Sequence, residues 1–535
     1  MPEPIATAGA PSPIELELFA HRFGAIVREM GEVLQRTALS VNVKERLDFS
    51  CALLDADGYL VVNAPHIPVH LGALGLCVRG VAQVCEVAVG DVLVTNHPAF
   101  GGSHLPDVTV ITPVFAQEAS APLGWVASRA HHAEIGGSRP GSMPPDARSL
   151  GEEGVVLPPR HLVRGGEARW EEMRRTLAAG RYPSRAVEEN VADLAAAVAA
   201  NHRGAEALLR LVGEHGGRAV QSFMVALREQ AAQQIGSVFA GWPPGRREAV
   251  ELLDDGTPLR VAIEAAAGRA TIDFGGSGGV HPGNLNATPA IVTSAVLYVL
   301  RLLVEQPIPL NEGLLSAVDL IVPRGILNPE FPVDPFDAPA VVGGNVETSQ
   351  RLVDTLLKAL GVAACSQGTM NNVLFGNDRF SYYETVCGGC GAGPGFEGAS
   401  GVHSHMTNTA ITDPEVLEHR YPVRLDAFRL RRDSGGAGRW PGGDGIVREL
   451  TFLEPVALSV LSQHRTVAPY GGDGGGEGGR GRQRVVRAGG GVEELESIDA
   501  RELEAGDRLV LETPGGGGWG PTAAEGPSPV EGSSR

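Results

Sequence analysis

Apolar residues recur at helical spacing near the start of the chain. Phe19, Phe23, Ile26, Val27, Met30, Val33 and Leu34 predict one helix ending near residue 38. The stretch "SPIE" at 12–15 starts it, as a capping box with Pro13 at the first helical position. The period then changes to that of strands. "FSCALLDADGYLVVNAP" reads as strand, Asp-Gly turn and strand, and "GDVLVTNHP", "DVTVITPVF" and "LGWVASRAHH" as further strands. From about 170 to 236 the pattern is helical, punctuated by Gly216 and Gly217. "GWPPGRRE" at 241–248 is a loop and a boundary. Beyond it come two short strands, "LRVAIEAA" and "RATIDFGG", then a helix capped by Thr288 with Pro289 just inside it. A second helix is predicted over about 346–361. After residue 400 the texture is glycine-rich, with short strands only.

These elements predict an α+β, multidomain protein. Residues 1–240 form an N-terminal α+β domain with a mixed sheet and a helical segment, and 241–400 an α+β middle domain. Residues 401–520 form a glycine-rich β domain, and 521–535 a disordered tail with few large apolar groups.

Charge narrows the function classes. With a net charge of -19 the chain has no basic face to neutralise phosphates, so no nucleic-acid partner is expected. The longest apolar run, "AIVTSAVLYVLRLLV", is interrupted by Arg301 and is shorter than a bilayer span. The first residues lack the basic start and apolar core of a secretory signal. Six cysteines make no disulfide framework in so long a chain. A cytoplasmic protein without membrane attachment is the expectation.

Candidate chemistry centres on "GGSHLPDVTVITPV" at 101–114. His104 and Asp107 are a turn leading into a strand, or half of a metal site. The next predicted strand ends in His131 and His132. If "FAQEASAPLG" joins the two strands as a hairpin, the end of the second returns to the start of the first. Adjacent residues point to opposite faces, so one of His131 and His132 is expected to face the site. Two imidazoles and a carboxylate leave positions open for water or substrate; hydrogen-bonded loop histidines are the plainer alternative.

Nearby polar residues are weaker signals. "KERLDFS" concentrates Lys44, Glu45, Arg46 and Asp48 before a strand, a pattern usual for solvated surface. "HIPVH" places His66 and His70 beside a glycine turn at Gly72. "GGSRPGSMPPDA" at 136–147 is a long loop suited to a substrate-binding edge or lid. Glu153 follows it as a candidate acid or base, or a surface carboxylate. "CGGC" at 387–390 has no second such pair and no thioredoxin-like frame, so no metal or redox role is expected for it. His403 and His405 are expected to share one face of an extended segment. No GxxxxGK[ST] phosphate loop occurs.

An ordered series of long motifs carries a family resemblance. It includes "KERLDFSCALLDADGYLVVNAPHIPVHLGAL", "NHPAFGGSHLPDVTVITPVF", "SRAHHAEIGGSRPGSMP", "GNLNATPA", "GGNVETSQRLVDTLLKAL", "GTMNN", "YYETVCGGCGAGPGFEGASGVHSHMTNTAITDPEVLEHRYPV" and "TPGGGGWG". Over about residues 14–520 the chain resembles the hydantoinase B / oxoprolinase family. That family includes B subunits of ATP-dependent N-methylhydantoinases and the C-terminal part of 5-oxoprolinase. Large subunits of acetone and acetophenone carboxylases also belong to it.

The resemblance implies a division of labour. An A-type subunit with an actin-like fold binds ATP and phosphorylates a lactam, imide or ketone oxygen. The B-type chain holds a divalent metal and completes the reaction, so a hetero-oligomer is expected. The implied ligands are His104, Asp107 and one of the His131–His132 pair, with zinc, manganese or iron as the metal. Asp48 or Glu153 would accept the proton of the attacking water. The family's usual Asn-Asp-Pro stands here as Asn96-His97-Pro98, which removes a carboxylate and adds an imidazole. The implied function is the catalytic B subunit of an ATP-dependent cyclic-amide hydrolase. An ATP-dependent ketone carboxylase subunit and a non-catalytic assembly scaffold are the alternatives.

Overall fold

The computed structural model describes residues 11–63, 67–117 and 119–522. His66 and the chain after residue 522 lie outside these residues. The architecture is α+β, with four sheets among the described residues. No helix among them is long and apolar enough to cross a membrane.

The first sheet has seven strands: β1 (Phe49–Asp55), β2 (Leu60–Asn63), β3 (Val92–Thr95), β4 (Asp107–Val114), β5 (Gly124–His131), β6 (Arg160–Arg164) and β7 (Glu167–Ala168). Their spatial order is β2-β1-β5-β4-β3-β6-β7. In place of the expected mixed sheet, every pairing in it is antiparallel. Short connections between β1 and β2, β4 and β5, and β6 and β7 are the kind that antiparallel neighbours allow. Helix Pro13–Thr37, with the capping box at Ser12 and Glu15, buries Phe19, Phe23 and Met30 against this layer. Helix Val187–His215 and helix Gly217–Ala240 flank the same core, and Gly216, at φ +86°, separates them.

A helix the sequence pattern does not announce, Leu71–Ala82, packs on the other side of the sheet against Leu54, Leu93 and Ile111. Gly72 is part of this helix and not of a turn; a Cβ there would stand 2.7 Å from the backbone nitrogen of Ser294.

The second sheet contains β8 (Arg246–Leu252), β9 (Pro258–Ala266), β10 (Arg269–Asp273) and β11 (Val318–Ile321), with a parallel β10–β11 pair. Helix Pro289–Leu303, capped by the Thr288 hydroxyl, and helix Ser349–Leu360 share its core. The remaining strands are β12 (Asn372–Gly376), β13 (Ser381–Glu384), β14 (Val423–Arg431), β15 (Gly445–Phe452), β16 (Val456–Leu461), β17 (Arg482–Val486), β18 (Val492–Glu494), β19 (Ile498–Leu503) and β20 (Arg508–Glu512). They form two sheets, ordered β13-β12-β16-β19 and β14-β15-β20-β17-β18. One short helix, Pro414–Arg420, interrupts this β region, capped by Asp413.

Glycine-rich segments around 388–393, 435–443 and 515–520 cross beside the last sheet at backbone contact. A Cβ on Gly389 would lie 1.9 Å from the Gly443 oxygen, and one on Gly516 1.9 Å from the Cys390 oxygen. The segments bond directly to one another: Gly389 donates to Pro514, Gly443 to Cys390, and Gly516 to Gly443.

Candidate metal centre

The β4–β5 register places Asp107 directly opposite His131. The hairpin thus returns the end of one strand to the start of the other, where the turn from 103 to 106 presents His104. Nε2 of His104 and Nδ1 of His131 are 3.2 Å apart, and each lies 3.5 Å from Asp107 Oδ1. A point equidistant from three atoms so spaced lies about 2.0 Å from each, the length of a zinc–nitrogen or zinc–carboxylate bond. Asp107 Oδ1 accepts no hydrogen bond, although it is buried. His104 Nδ1 and His131 Nε2 also have no partner among the described residues. The donor set, its spacing and the unbonded carboxylate oxygen fit a divalent ion.

Local chain geometry fixes the turn. Gly101 adopts φ +81°, and a Cβ there would stand 2.5 Å from the Cys77 nitrogen, so glycine is required. The buried Arg129 on β5 donates to Gly101 O (2.8 Å) and to Thr109 Oγ1 (2.8 Å), tying turn to sheet. Asn96 donates from Nδ2 to Leu105 O and accepts the Leu157 N–H. His97, where the family pattern has Asp, caps the short turn Pro98–Phe100, its Nδ1 accepting the Ala99 N–H at 3.1 Å. Burial lowers its pKa and keeps it a neutral acceptor. It therefore does the work of an aspartate cap, and its ring contacts Phe100 and Phe331.

A second layer surrounds the triad. His70 Nε2 lies 3.2 Å from Asp107 Oδ2, and its Nδ1 3.1 Å from Ser50 Oγ. Ser103 donates to the same Asp107 oxygen. Burial opposes ionisation of Asp107, yet the imidazoles of His104 and His70 hold its carboxyl well below the usual range. His131 is pushed down by burial, partly offset by Asp48, so it is neutral and can donate a lone pair. Its ring stacks on Tyr383 at 4.6 Å. Only the short stretch "HIPVH" hints at His70 before the fold is known.

Arg46 and Asp48 are buried, not solvated; Lys44 is exposed. Arg46 donates to Tyr383 O (2.8 Å) and Thr385 Oγ1 (3.1 Å) and lies over the Tyr383 ring. Asp48 Oδ2 is 3.9 Å from His131 Nδ1 and 3.9 Å from Arg46 Nη1. Asp48, His70, Asp107, His131 and Asn345 border one small cavity.

Other residues singled out in the sequence stand elsewhere. His132 turns away from the triad, its Nδ1 3.1 Å from Asn190 Nδ2. Glu153 is fully buried, and its carboxylate accepts the N–H groups of Val341 and Val342 at 2.9 Å. Burial raises its pKa to about 8, against the pull of those two amides. The 136–147 loop is no free edge: Glu134 accepts the N–H groups of Gly136 and Gly141, and the loop's own Ser142 is buried, donating to Gly136 O. His405 has φ +55° and meets Asp354 at 3.1 Å, and the Thr407 N–H bonds to Ser404 O, so the chain turns at His405 instead of running extended through it. Cys387 and Cys390 are free thiols, each raised to about 11 by burial.

The family described as Hydantoinase B/oxoprolinase matches residues 12–522. 5-oxoprolinase 1 of Arabidopsis thaliana is 45% identical over 95% of this chain and 42% of its own. The 5-oxoprolinase of Saccharomyces cerevisiae is 42% identical, again over 95% of this chain and 42% of its own. The chain thus spans about two fifths of the length of these curated relatives. Among solved structures, the ATP-dependent caprolactamase from Pseudomonas jessenii superposes with a TM-score of 0.86 at 25% identity, covering 96% of this chain and 93% of that one. Acetone carboxylase in its nucleotide-free form shares the fold, with a TM-score of 0.85 at 17% identity over 95% of this chain and 76% of that one. On motif order, fold and near-complete coverage, the chain belongs to the hydantoinase B/oxoprolinase family.

Proposed function

We propose that this chain completes an ATP-dependent ring opening of a cyclic amide, after a separate A-type component has phosphorylated the carbonyl oxygen. The observation that carries the reading is the His104–Asp107–His131 triangle, spaced for a divalent ion, with Asp107 and His131 bordering a small cavity. Its kinship to 5-oxoprolinases and its likeness to an ATP-dependent caprolactamase support a lactam as substrate. The ATP-binding component is invoked because the chain carries no phosphate loop and spans only part of its curated relatives.

Phosphoryl transfer to the carbonyl oxygen, with loss of the amide proton, gives a cyclic O-phosphoimidate. His104, Asp107 and His131 would hold a divalent ion (zinc, manganese or iron), which would supply Lewis acidity that brings the pKa of water toward neutrality. Asp48 takes a proton from water as its oxygen bonds to the ring carbon. The C=N electron pair moves onto nitrogen, which gains a proton. The proton of the new hydroxyl then passes to nitrogen as the C–N bond breaks and the C=O bond forms, giving a ring-opened amine and acyl phosphate, and a second water splits the acyl phosphate into carboxylate and inorganic phosphate. Asp48 is preferred over Glu153 as base because Glu153 is already held by two backbone amides.

The test is reconstitution of this chain with an A-type component, assayed with ATP and hydantoin, 5-oxoproline or caprolactam, and separately with acetone plus bicarbonate. Ring opening is expected. Carboxylation of acetone alone would replace the hydrolase reading by the ketone carboxylase. Full turnover by metal-stripped protein would leave the ion a scaffold's structural part.

A further inference from the structure

The helix beginning at Ser349 is preceded by one π-helical turn, Gly344–Thr348, in which the Ser349 N–H reaches back to the Gly344 carbonyl. Such wide turns are rare and recur at functional sites because they re-aim a side chain out of helical phase. Here the turn brings Asn345 to the wall of the cavity that Asp48, Asp107 and His131 also border. Asn345 is only 3% exposed, yet its Oδ1 has no hydrogen-bond partner among the described residues. An unpaired buried amide oxygen destabilises a fold, so one held at a cavity wall calls for a ligand.

The size of the cavity limits what that ligand is. It measures about 10 Å³, on the scale of one water molecule. Much of the remaining wall is apolar, from Ile67, Val69, Val346, Met370 and Met406. Of the other polar groups at the wall, Asp107 belongs to the donor triangle and engages His70, Thr385 accepts from Arg46, and the Tyr383 hydroxyl donates to Asn372. Asp48 and Asn345 remain as a carboxylate and an amide oxygen on different segments that one water can bridge.

We propose that Asn345 is a catalytic residue that holds the attacking water, its Oδ1 accepting one proton's hydrogen bond while Asp48 accepts the other. With both protons so engaged, a lone pair of the water oxygen is turned toward the substrate carbon. The bond changes are those given above: the proton facing Asp48 is transferred as the C–O bond forms, and the proton on Asn345 stays with the new hydroxyl. This assignment rests on the hydrolase reading. Loss of Asn345 would leave phosphorylation intact and misdirect the water, so the phosphorylated lactam would be released and ATP consumed without ring opening.

The experiment measures ATP consumed per ring opened in the complex of this chain with its A-type component, using wild type, Asn345→Ala and Asn345→Asp. Asn345→Ala is expected to lower ring opening at least tenfold at unchanged KM for the lactam, and to raise ATP consumed per ring opened by a similar factor. Bound metal should stay at the wild-type level, and the melting temperature should not fall, since no hydrogen bond within the chain is lost. Asn345→Asp, which keeps an acceptor oxygen, should recover part of the coupling. A wild-type coupling ratio in Asn345→Ala, or a drop in its metal content or melting temperature that accounts for the lost activity, overturns the assignment while leaving the hydrolase reading intact. Failure of the wild-type complex to open any cyclic amide overturns both.

Discussion

Asp107 and His131 face each other across the β4–β5 hairpin, and one carboxylate oxygen of Asp107 lies 3.5 Å from the imidazole nitrogen of His131. The pairing places two ligand-type side chains from residues 24 positions apart by backbone register, before any side-chain preference acts. His104 then needs only the short turn before β4 to complete the triangle. Replacing His104 or Asp107 by alanine should therefore abolish bound metal, read by mass spectrometry, and lower ring opening by about a thousandfold or more. ATP hydrolysis by the partner, assayed uncoupled, should survive. Full metal occupancy in both variants would end the metal assignment.

The neighbouring histidines should behave differently. His131→Ala should lose the metal, along with a stacking contact on Tyr383 worth about 0.5–1.5 kcal/mol. His132→Ala should keep the metal and lose about 1–3 kcal/mol of stability through its contact with Asn190. Metal content and chemical denaturation on the two proteins separate these outcomes. Equal metal loss would contradict the geometry.

Asp48→Asn should bind metal as wild type does and reduce ring opening by about 100-fold or more, the usual scale for a lost general base. Its carboxylate is 3.9 Å from His131 and outside the donor triangle. Unchanged ring-opening rates in this variant would move the base elsewhere.

Glu153 predicts a pH dependence of stability. Its folded pKa is raised from 4.5 to about 8. Between those values the folded chain retains a proton that the unfolded chain has released, so rising pH favours unfolding. The contribution is complete below pH 4.5 and is lost as pH rises through about 8. Glu153→Gln keeps an acceptor for the amides of Val341 and Val342 and removes the titration. Its melting temperature should fall less than that of wild type between pH 5 and 8; parallel profiles would show that Glu153 is ionised in the folded state.

Much of the geometry of the candidate site was legible because its information is local. The "FAQEASAPLG" loop ties the two strands, and antiparallel pairing then dictates that 107 meets 131. The choice between His131 and His132 needed the surroundings, since Asn190, on a helix far along the chain, takes His132. Arg46 and Asp48 read as surface because charge in sequence implies water. What buries Arg46 is a set of acceptors from Tyr383, Thr385 and Thr409, more than 330 positions away. The helix Leu71–Ala82 is hard to read from its sequence because "LGALGLCVRGVA" contains three glycines and only one charged residue, so no polar face marks it. The π-turn before Ser349 is equally silent, since its wider winding leaves no change of residue type to detect.

The glycine segments that cross near 389, 443 and 516 have no regular secondary structure, yet their amides are bonded to one another and buried. Loops usually exchange their amide protons with solvent in seconds, through small local openings. These cannot open one strand at a time, because each chain lies at contact distance within the next. Deuterium uptake at Gly389, Gly443 and Gly516 should therefore keep pace with the slowest strands, so that a segment shaped like a loop behaves in time like the middle of a sheet.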